Sequence, residues 1–164
     1  MEKPPWLPEM ESVEGRTEDV LKRLHRRFLA DFAASRCVFQ GLPVLWDDGK
    51  IVVSGQAYDR GFWHLVSRND QKIGARRFDP RRGERLPWCA PLLANAHDDA
   101  ALVWEYREGH GRLRTYVWLE RWSYVVILEA VSTRAGEAMR LVQDYHVDGA
   151  STERAFRRKF NQRR

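Results

Sequence analysis

A chain of 164 residues with 43% hydrophobic and 31% charged side chains is long enough to form one domain that buries roughly two-thirds of its unfolded surface. The net charge of +5 is modest; the lack of any apolar run near ~20 residues argues against a membrane span, and an N-terminus with no basic-then-apolar pattern argues against the usual secretion signal. Cys37 and Cys89 are too few and too isolated for a disulfide framework or a zinc cluster, so a reducing, cytoplasmic setting is expected.

Within a single domain of residues 1–164, residues 1–15 are Pro- and Glu-rich and read as a flexible leader. Residues 16–150 read as the core, and 151–164 as a basic C-terminal tail. The tail carries six bases against Glu153, while residues 1–20 carry six acids against two bases. Arginine outnumbers lysine in the basic patches, which favours bidentate phosphate contacts over mere solubility. A solvated terminal helix of the same composition needs no ligand.

Thr17 is placed to cap a helix from about Glu18 to Ser35, with Glu18 and Asp19 in the favoured first turn. Val20, Leu21, Leu24, Phe28 and Phe32 recur at helical spacing and predict its buried stripe. His25 lies beside that stripe, as a surface or boundary side chain. Val44-Leu45-Trp46, the turn Asp47 to Lys50, and Ile51-Val52-Val53 read as a hairpin, and Phe62 to Ser67 as a third short strand. Asp79 caps a helix with Pro80 at its first position, and Pro87 predicts a break before a second segment reaching about Ala96.

The second half reads as an antiparallel meander: Ala101–Tyr106, Arg112–Leu119, Tyr124–Ala130 and Met139–Val147, with turns at Gly109, Gly111 and Gly136. The continuous run Val125 to Leu128 predicts a central strand buried on both faces. Helices followed by a twisted antiparallel sheet of about four strands give an α+β fold.

The chemistry-bearing residues fall between Gly61 and Trp88. His64 sits in an aromatic run, and residues 76–85 hold five arginines against Asp79 and Glu84. An imidazole to move protons and guanidiniums to hold a phosphate are the parts of a metal-free RNA-cleaving site. A core strand histidine satisfied by a backbone carbonyl and a solvated helix end contain the same parts. Arg81 and Arg85 stand one turn apart on a helix face, with Arg82 about 100° around, so all three reach one pocket only if the helix breaks. Arg85, next to Leu86, is the one expected to be drawn inward, toward a substrate or into an ion pair. Trp63, Trp88, Trp104, Trp118 and Trp122 read as core more readily than as stacking platforms for bases. His97 and His110 show no metal-ligand spacing.

Gly61 to Leu65, the Asp79-Pro80-Arg81-x-x-Glu84-Arg85-Leu86-Pro87-Trp88 core, Tyr124 to Glu129, and Leu141-Val142-x-x-Tyr145 occur in an order that resembles the phage- and plasmid-borne toxins of the barnase-EndoU-colicin-RelE-like nuclease superfamily, from about Phe28 to Phe160. The resemblance implies a barnase/RelE-like fold and a toxin-type, metal-independent endoribonuclease that attacks RNA through its own 2′-OH. It implies His64 as general base or acid, Arg82 and Arg85 as phosphate clamps, and Arg81 beside them. Tyr145 matches the family's last-strand tyrosine. Gln143 stands where the family has a hydroxyl residue, which puts activity in question. Arg68, just after His64, is a candidate for the substrate backbone. RNA is the implied partner, together with an antitoxin or immunity protein, and no cofactor or metal is implied. Two alternatives remain open: a non-catalytic nucleic-acid-binding protein on the same scaffold, and a protein-interaction module.

Overall fold

In the computed structural model, which describes residues 2–147 and 149–163, the stripe Val20, Leu21, Leu24 and Phe28 is the buried face of helix α1 (Thr17–Phe28). Arg16 occupies the N-cap position without a side-chain cap, so Thr17 is the first helical residue and not the cap. The helix widens into a π-type segment over Leu29–Ala34, which keeps Phe32 in the core.

The leader packs against the rest of the chain at several points. Leu7 is buried, the Trp88 indole donates to the Pro8 carbonyl at 2.8 Å, the Trp6 indole donates to Asp98 at 3.0 Å, and the Glu11 amide donates to the Glu84 carbonyl at 2.9 Å. Two apolar anchors, Trp6 and Leu7, outweigh the prolines and glutamates around them.

Ten strands and four further α-helices follow among the described residues, with one 3-10 turn at Glu120–Trp122. They are β1 (Val38–Phe39), β2 (Leu42–Leu45), β3 (Lys50–Val53), β4 (Gln56–Asp59), α2 (Arg60–Val66), β5 (Ser67–Asp70), β6 (Ala75–Phe78), α3 (Pro80–Glu84) and α4 (Leu86–Ala94). Then come β7 (Leu102–Arg107), β8 (Leu113–Leu119), β9 (Tyr124–Thr133), β10 (Gly136–His146) and α5 (Gly149–Asn161). The result is a mixed α/β fold around one mostly antiparallel sheet, ordered β1-β2-β10-β9-β8-β7.

The meander β7–β10 matches the expected four strands closely. The sheet has six because β2 adds alongside β10, in parallel, and β1 folds back on β2. The expected hairpin of Val44–Trp46 with Ile51–Val53 does not form. β3 pairs with β4 instead, through Ser54 and Gly55, whose φ values of +50° and +78° suit a tight primed turn.

Phe62 to Val66 is helix and not strand, and Ser67 opens β5. Phe62, Trp63, Leu65 and Val66 are all buried, and a short apolar run buried on several sides carries no period that separates strand from helix. What decides is the start of α2, where the Arg60 and Gly61 amides donate to the Gly49 and Asp47 carbonyls at 2.7 and 2.8 Å. A Cβ on Gly61 would come within 3.0 Å of the Asp47 amide nitrogen, so glycine permits this approach.

Two apolar layers sandwich the sheet. Tyr124, Val126 and Leu128 face the helices, while Val125 and Ile127 face α5, so the central strand is buried on both sides. The basic tail is therefore largely helix α5, docked through Phe156 onto Tyr116 and Trp118. Arg157 pairs with Glu120, and Lys159 pairs with Glu108 at 3.0 Å. The tail's charge thus partly serves docking, while Arg154 and Arg158 remain exposed.

A bulge in β10 sets the side-chain directions that matter for the site. Leu141 faces Leu128, but the next paired residue, Gln143, faces Ile127, leaving Val142 as the extra residue. Simple alternation puts Leu141, Gln143 and Tyr145 on one face. The bulge instead leaves Leu141 in the helix-side core and turns Gln143 and Tyr145 toward α5. Asp144 and His146 then point to the helix side.

Candidate functional site

Helix α3 is only five residues long, and its start is tightly determined. The Asp79 carboxylate accepts the Arg81 amide at 3.0 Å, Pro80 occupies the first turn, and the Asp79 amide donates to the Val66 carbonyl at 2.8 Å. This end of the helix meets the C-terminal end of β10. A cleft of about 390 Å³ opens there, lined by Arg68, Asp79, Pro80, Arg81, Arg82 and His146. Three guanidiniums against one carboxylate give the cleft a net positive charge, and their planar forks have the shape that suits an anion.

The Arg82 guanidinium donates to the Ser67 carbonyl at 2.6 Å, sits 3.6 Å from Asp79 and stacks 4.7 Å over the Tyr145 ring. Arg76 meets the same Ser67 carbonyl at 2.7 Å and also reaches the Ser67 hydroxyl and the His64 carbonyl. Ser67 in turn donates its hydroxyl to the Trp63 carbonyl at the end of α2. One carbonyl thus joins two arginines and ties β5, β6 and α3 together. Arg68 stands 3.9 Å from Asp79 and is half exposed. Arg81 places a guanidinium nitrogen 3.1 Å from His146 Nε2.

His64 does not line this cleft. It lies on α2, half-buried, and its imidazole is driven below its ordinary pKa by burial and then by the Arg76 charge, with Asp47 pulling the other way and Arg60 adding to the drop. Arg76 bonds both the His64 carbonyl and the Ser67 carbonyl that Arg82 shares. Arg85 is also apart: the helix breaks at Arg85 itself, two residues before Pro87. Its guanidinium bonds Glu84 at 2.6 Å and the Arg81 carbonyl at 2.9 Å and lies over Trp88. That is the ion-pair alternative, met by its own neighbour. The break is what lets Arg81 and Arg82 share one cleft while Arg85 turns away.

Of the sequence-derived residues, Arg68, Arg81 and Arg82 converge, and Tyr145 adjoins them through Arg82. Gln143 lies on the α5 side of β10, away from the cleft. Burial holds the Tyr145 phenol protonated, against the Arg82 and Arg114 charges that favour its ionisation.

Arg76 is one arginine among five in the sequence. Alternation along β10 sets His146 with Asp144 on the face opposite Tyr145, so the sequence offers His146 as the alternative to Tyr145, and the structure puts it in the cleft lining. Asp144 is a lone strand aspartate that is fully buried; its Oδ2 accepts the Tyr124 hydroxyl at 2.9 Å and its Oδ1 has no hydrogen-bond partner among the described residues. Desolvation pushes its carboxyl up to about 7, although Arg82 opposes this.

A larger cavity, about 900 Å³, lies against the other end of the sheet, with Phe39, Leu42, Val103 and Met139 in its lining. Its Glu129 is already bound by Arg114 at 3.2 Å and Arg140 at 2.9 Å, and no histidine reaches it. Glu105 also lines it, so it differs from the smaller cleft in offering carboxylates without an imidazole. No group of three or more His, Cys, Asp or Glu among the described residues is placed to hold a metal ion, and no helix among them is long and apolar enough to cross a membrane. Comparison with family models, with curated proteins and with solved structures gave no match to this chain.

Proposed function

We propose that this protein is a toxin-type endoribonuclease on a barnase/RelE-like scaffold and that it cleaves RNA in the cleft between α3 and the end of β10. The observation that carries the reading is the convergence of Arg68, Arg81 and Arg82 with the His146 imidazole around one cavity. The ordered motifs from Gly61 to Tyr145 support the same class.

In this reaction the substrate's 2′-oxygen attacks phosphorus, the bond to the 5′-oxygen breaks, and a 2′,3′-cyclic phosphate and a 5′-hydroxyl result. One proton leaves the 2′-OH and one joins the departing oxygen, so no metal is required by the balance. Arg81 and Arg68 hold the phosphate, and Arg82, fixed by Ser67, supplies a preorganised positive charge. His146 moves a proton at Nε2 once the substrate phosphate takes over the Arg81 guanidinium, which can only donate to that nitrogen. An inhibitor protein that covers the cleft is the partner expected of a toxin.

A rate assay on a mixed RNA pool, with chelator present, tests the assignment. His146→Ala is expected to slow cleavage by about 10²–10⁴-fold, and Arg81→Ala by about 10²-fold or more. Loss on His64→Ala with His146→Ala unaffected moves the chemistry to the α2 side of Arg76. Salt-sensitive RNA binding by the wild-type protein without turnover replaces the enzyme with a non-catalytic RNA-binding protein.

A further inference from the structure

On the opposite side of β10, under α5, lies a second cavity of about 330 Å³, large enough for a small planar ligand. Its walls include Gln143 and Tyr145 from β10, Thr152 and Phe156 from α5, and Arg114 and Tyr116 from β8.

The charges around it are already matched. Arg114 binds Glu129 at 3.2 Å, Lys159 binds Glu108 at 3.0 Å, and Glu108 also accepts the Tyr116 hydroxyl. An anion brought here gains no uncommitted cation. The neutral groups are different: no side chain or backbone group of the described residues hydrogen-bonds the Gln143 amide, the Tyr145 hydroxyl or the Thr152 hydroxyl. Gln143 offers a donor and an acceptor side by side, the two hydroxyls offer either role, and Tyr116, Tyr145 and Phe156 supply ring surface. Half-buried polar groups without partners, set among aromatic rings and balanced charges, fit an uncharged, flat, hydrogen-bonding ring.

The position of this cavity identifies the source of that ring. Tyr145 lines it, and the same ring carries the Arg82 guanidinium at 4.7 Å, which lines the arginine cleft. An RNA strand with a phosphate at Arg81 and Arg82 therefore has this cavity one side chain away, across the end of β10. We infer that the cavity between α5 and β8–β10 is a nucleobase pocket, in which Gln143 reads the edge of an unpaired RNA base and Tyr145 forms the wall shared with the phosphate cleft. This rests on the RNA reading above and gives it a source of base preference. It also gives Gln143 a role, hydrogen bonding to a base, that a small hydroxyl residue fills less completely.

The test uses the full chain and four probes: adenosine, guanosine, cytidine and uridine, none of which carries a phosphate. Affinity is followed by NMR on the nucleoside resonances, with and without inorganic phosphate. At least one nucleoside is expected to bind, undisplaced by phosphate. Gln143→Leu and Thr152→Val are each expected to weaken it about tenfold or more, and Thr152, on the helix surface, keeps the test independent of any packing defect at Gln143. Binding by none of the four, or equal binding by the wild type and both variants, overturns the pocket. RNA cleavage by Gln143→Leu with unchanged base preference overturns it too, while leaving the phosphate cleft standing. Nucleoside binding with the expected pattern in a protein that never cleaves RNA sustains the pocket and refutes the nuclease.

Discussion

Asp144→Asn removes one ionisable group from the middle of the fold and keeps its shape. Among the described residues the carboxyl has one side-chain hydrogen bond, from the Tyr124 hydroxyl at 2.9 Å, and it has no contact with solvent. Desolvation raises its pKa from 3.8 to about 7; Arg82 and Tyr124 pull the other way, and Asp79 adds a like charge. The Cys89 thiol in the same pocket is held protonated by burial and does not compete in this range. Because the folded protein holds this proton more tightly than the unfolded chain, ionisation opposes folding. The penalty is absent below the unfolded value of 3.8, grows as pH rises toward about 7, and is constant above that. Its ceiling is about 4 kcal/mol, of which about 2 kcal/mol falls between about pH 5.5 and about pH 8. For a chain of this size that corresponds to roughly 4–8 °C in Tm. Urea or thermal denaturation of both proteins at the two pH values reads it directly. The wild type should lose about 2 kcal/mol more than the variant on going up in pH. The same pH dependence in both proteins refutes the argument, since it means that the carboxyl does not titrate in that window.

Asp59 carries the opposite sign. Burial works against its ionisation, but bonds from Lys50, Trp46 and His25 outweigh it and hold the carboxyl below its ordinary value. Its stabilisation is present above the unfolded pKa and lost as pH falls, so Asp59→Asn should cost roughly 1–3 kcal/mol near neutrality and less in acid, measured by denaturation. Gly83→Ala puts a Cβ 2.7 Å from Phe78 Cζ and 3.2 Å from Leu24 Cδ1, at the centre of α3. A loss of about 1–3 kcal/mol is expected from the overpacking, visible as a lower Tm. Phe156→Ala takes away the one fully docked side chain of α5. It should cost about 3–5 kcal/mol of the docking and raise hydrogen exchange across Gly149–Asn161, with the meander strands unaffected.

Local patterning made much of the architecture legible. The stripe Val20 to Phe28, the Asp79-Pro80 helix start and the four strands of the meander follow from side-chain period and capping chemistry, which act over a few residues. Where two periods coincide, the sequence is silent: Phe62 to Val66 is apolar on every side, and only the carbonyls of Asp47 and Gly49 capping α2 select the helix. The addition of β2 beside β10 is a parallel pairing between segments almost a hundred residues apart, and no local signal encodes it. For the leader and the tail, composition leaves out where they pack. Average composition hides single anchors such as Leu7 and Phe156, whose burial depends on surfaces formed elsewhere.

The chain's residues determine that arginines crowd one short helix start and that a histidine follows a tyrosine at the end of the last strand. Which imidazole those arginines meet was decided only in three dimensions. The one-residue bulge at Val142 reverses every side chain after it, sending Tyr145 toward α5 and His146 toward Arg81. The helix break at Arg85 separates that guanidinium from Arg81 and Arg82. Alternation and helical period are properties of uninterrupted elements, and both interruptions come from packing between elements that no single stretch of sequence contains.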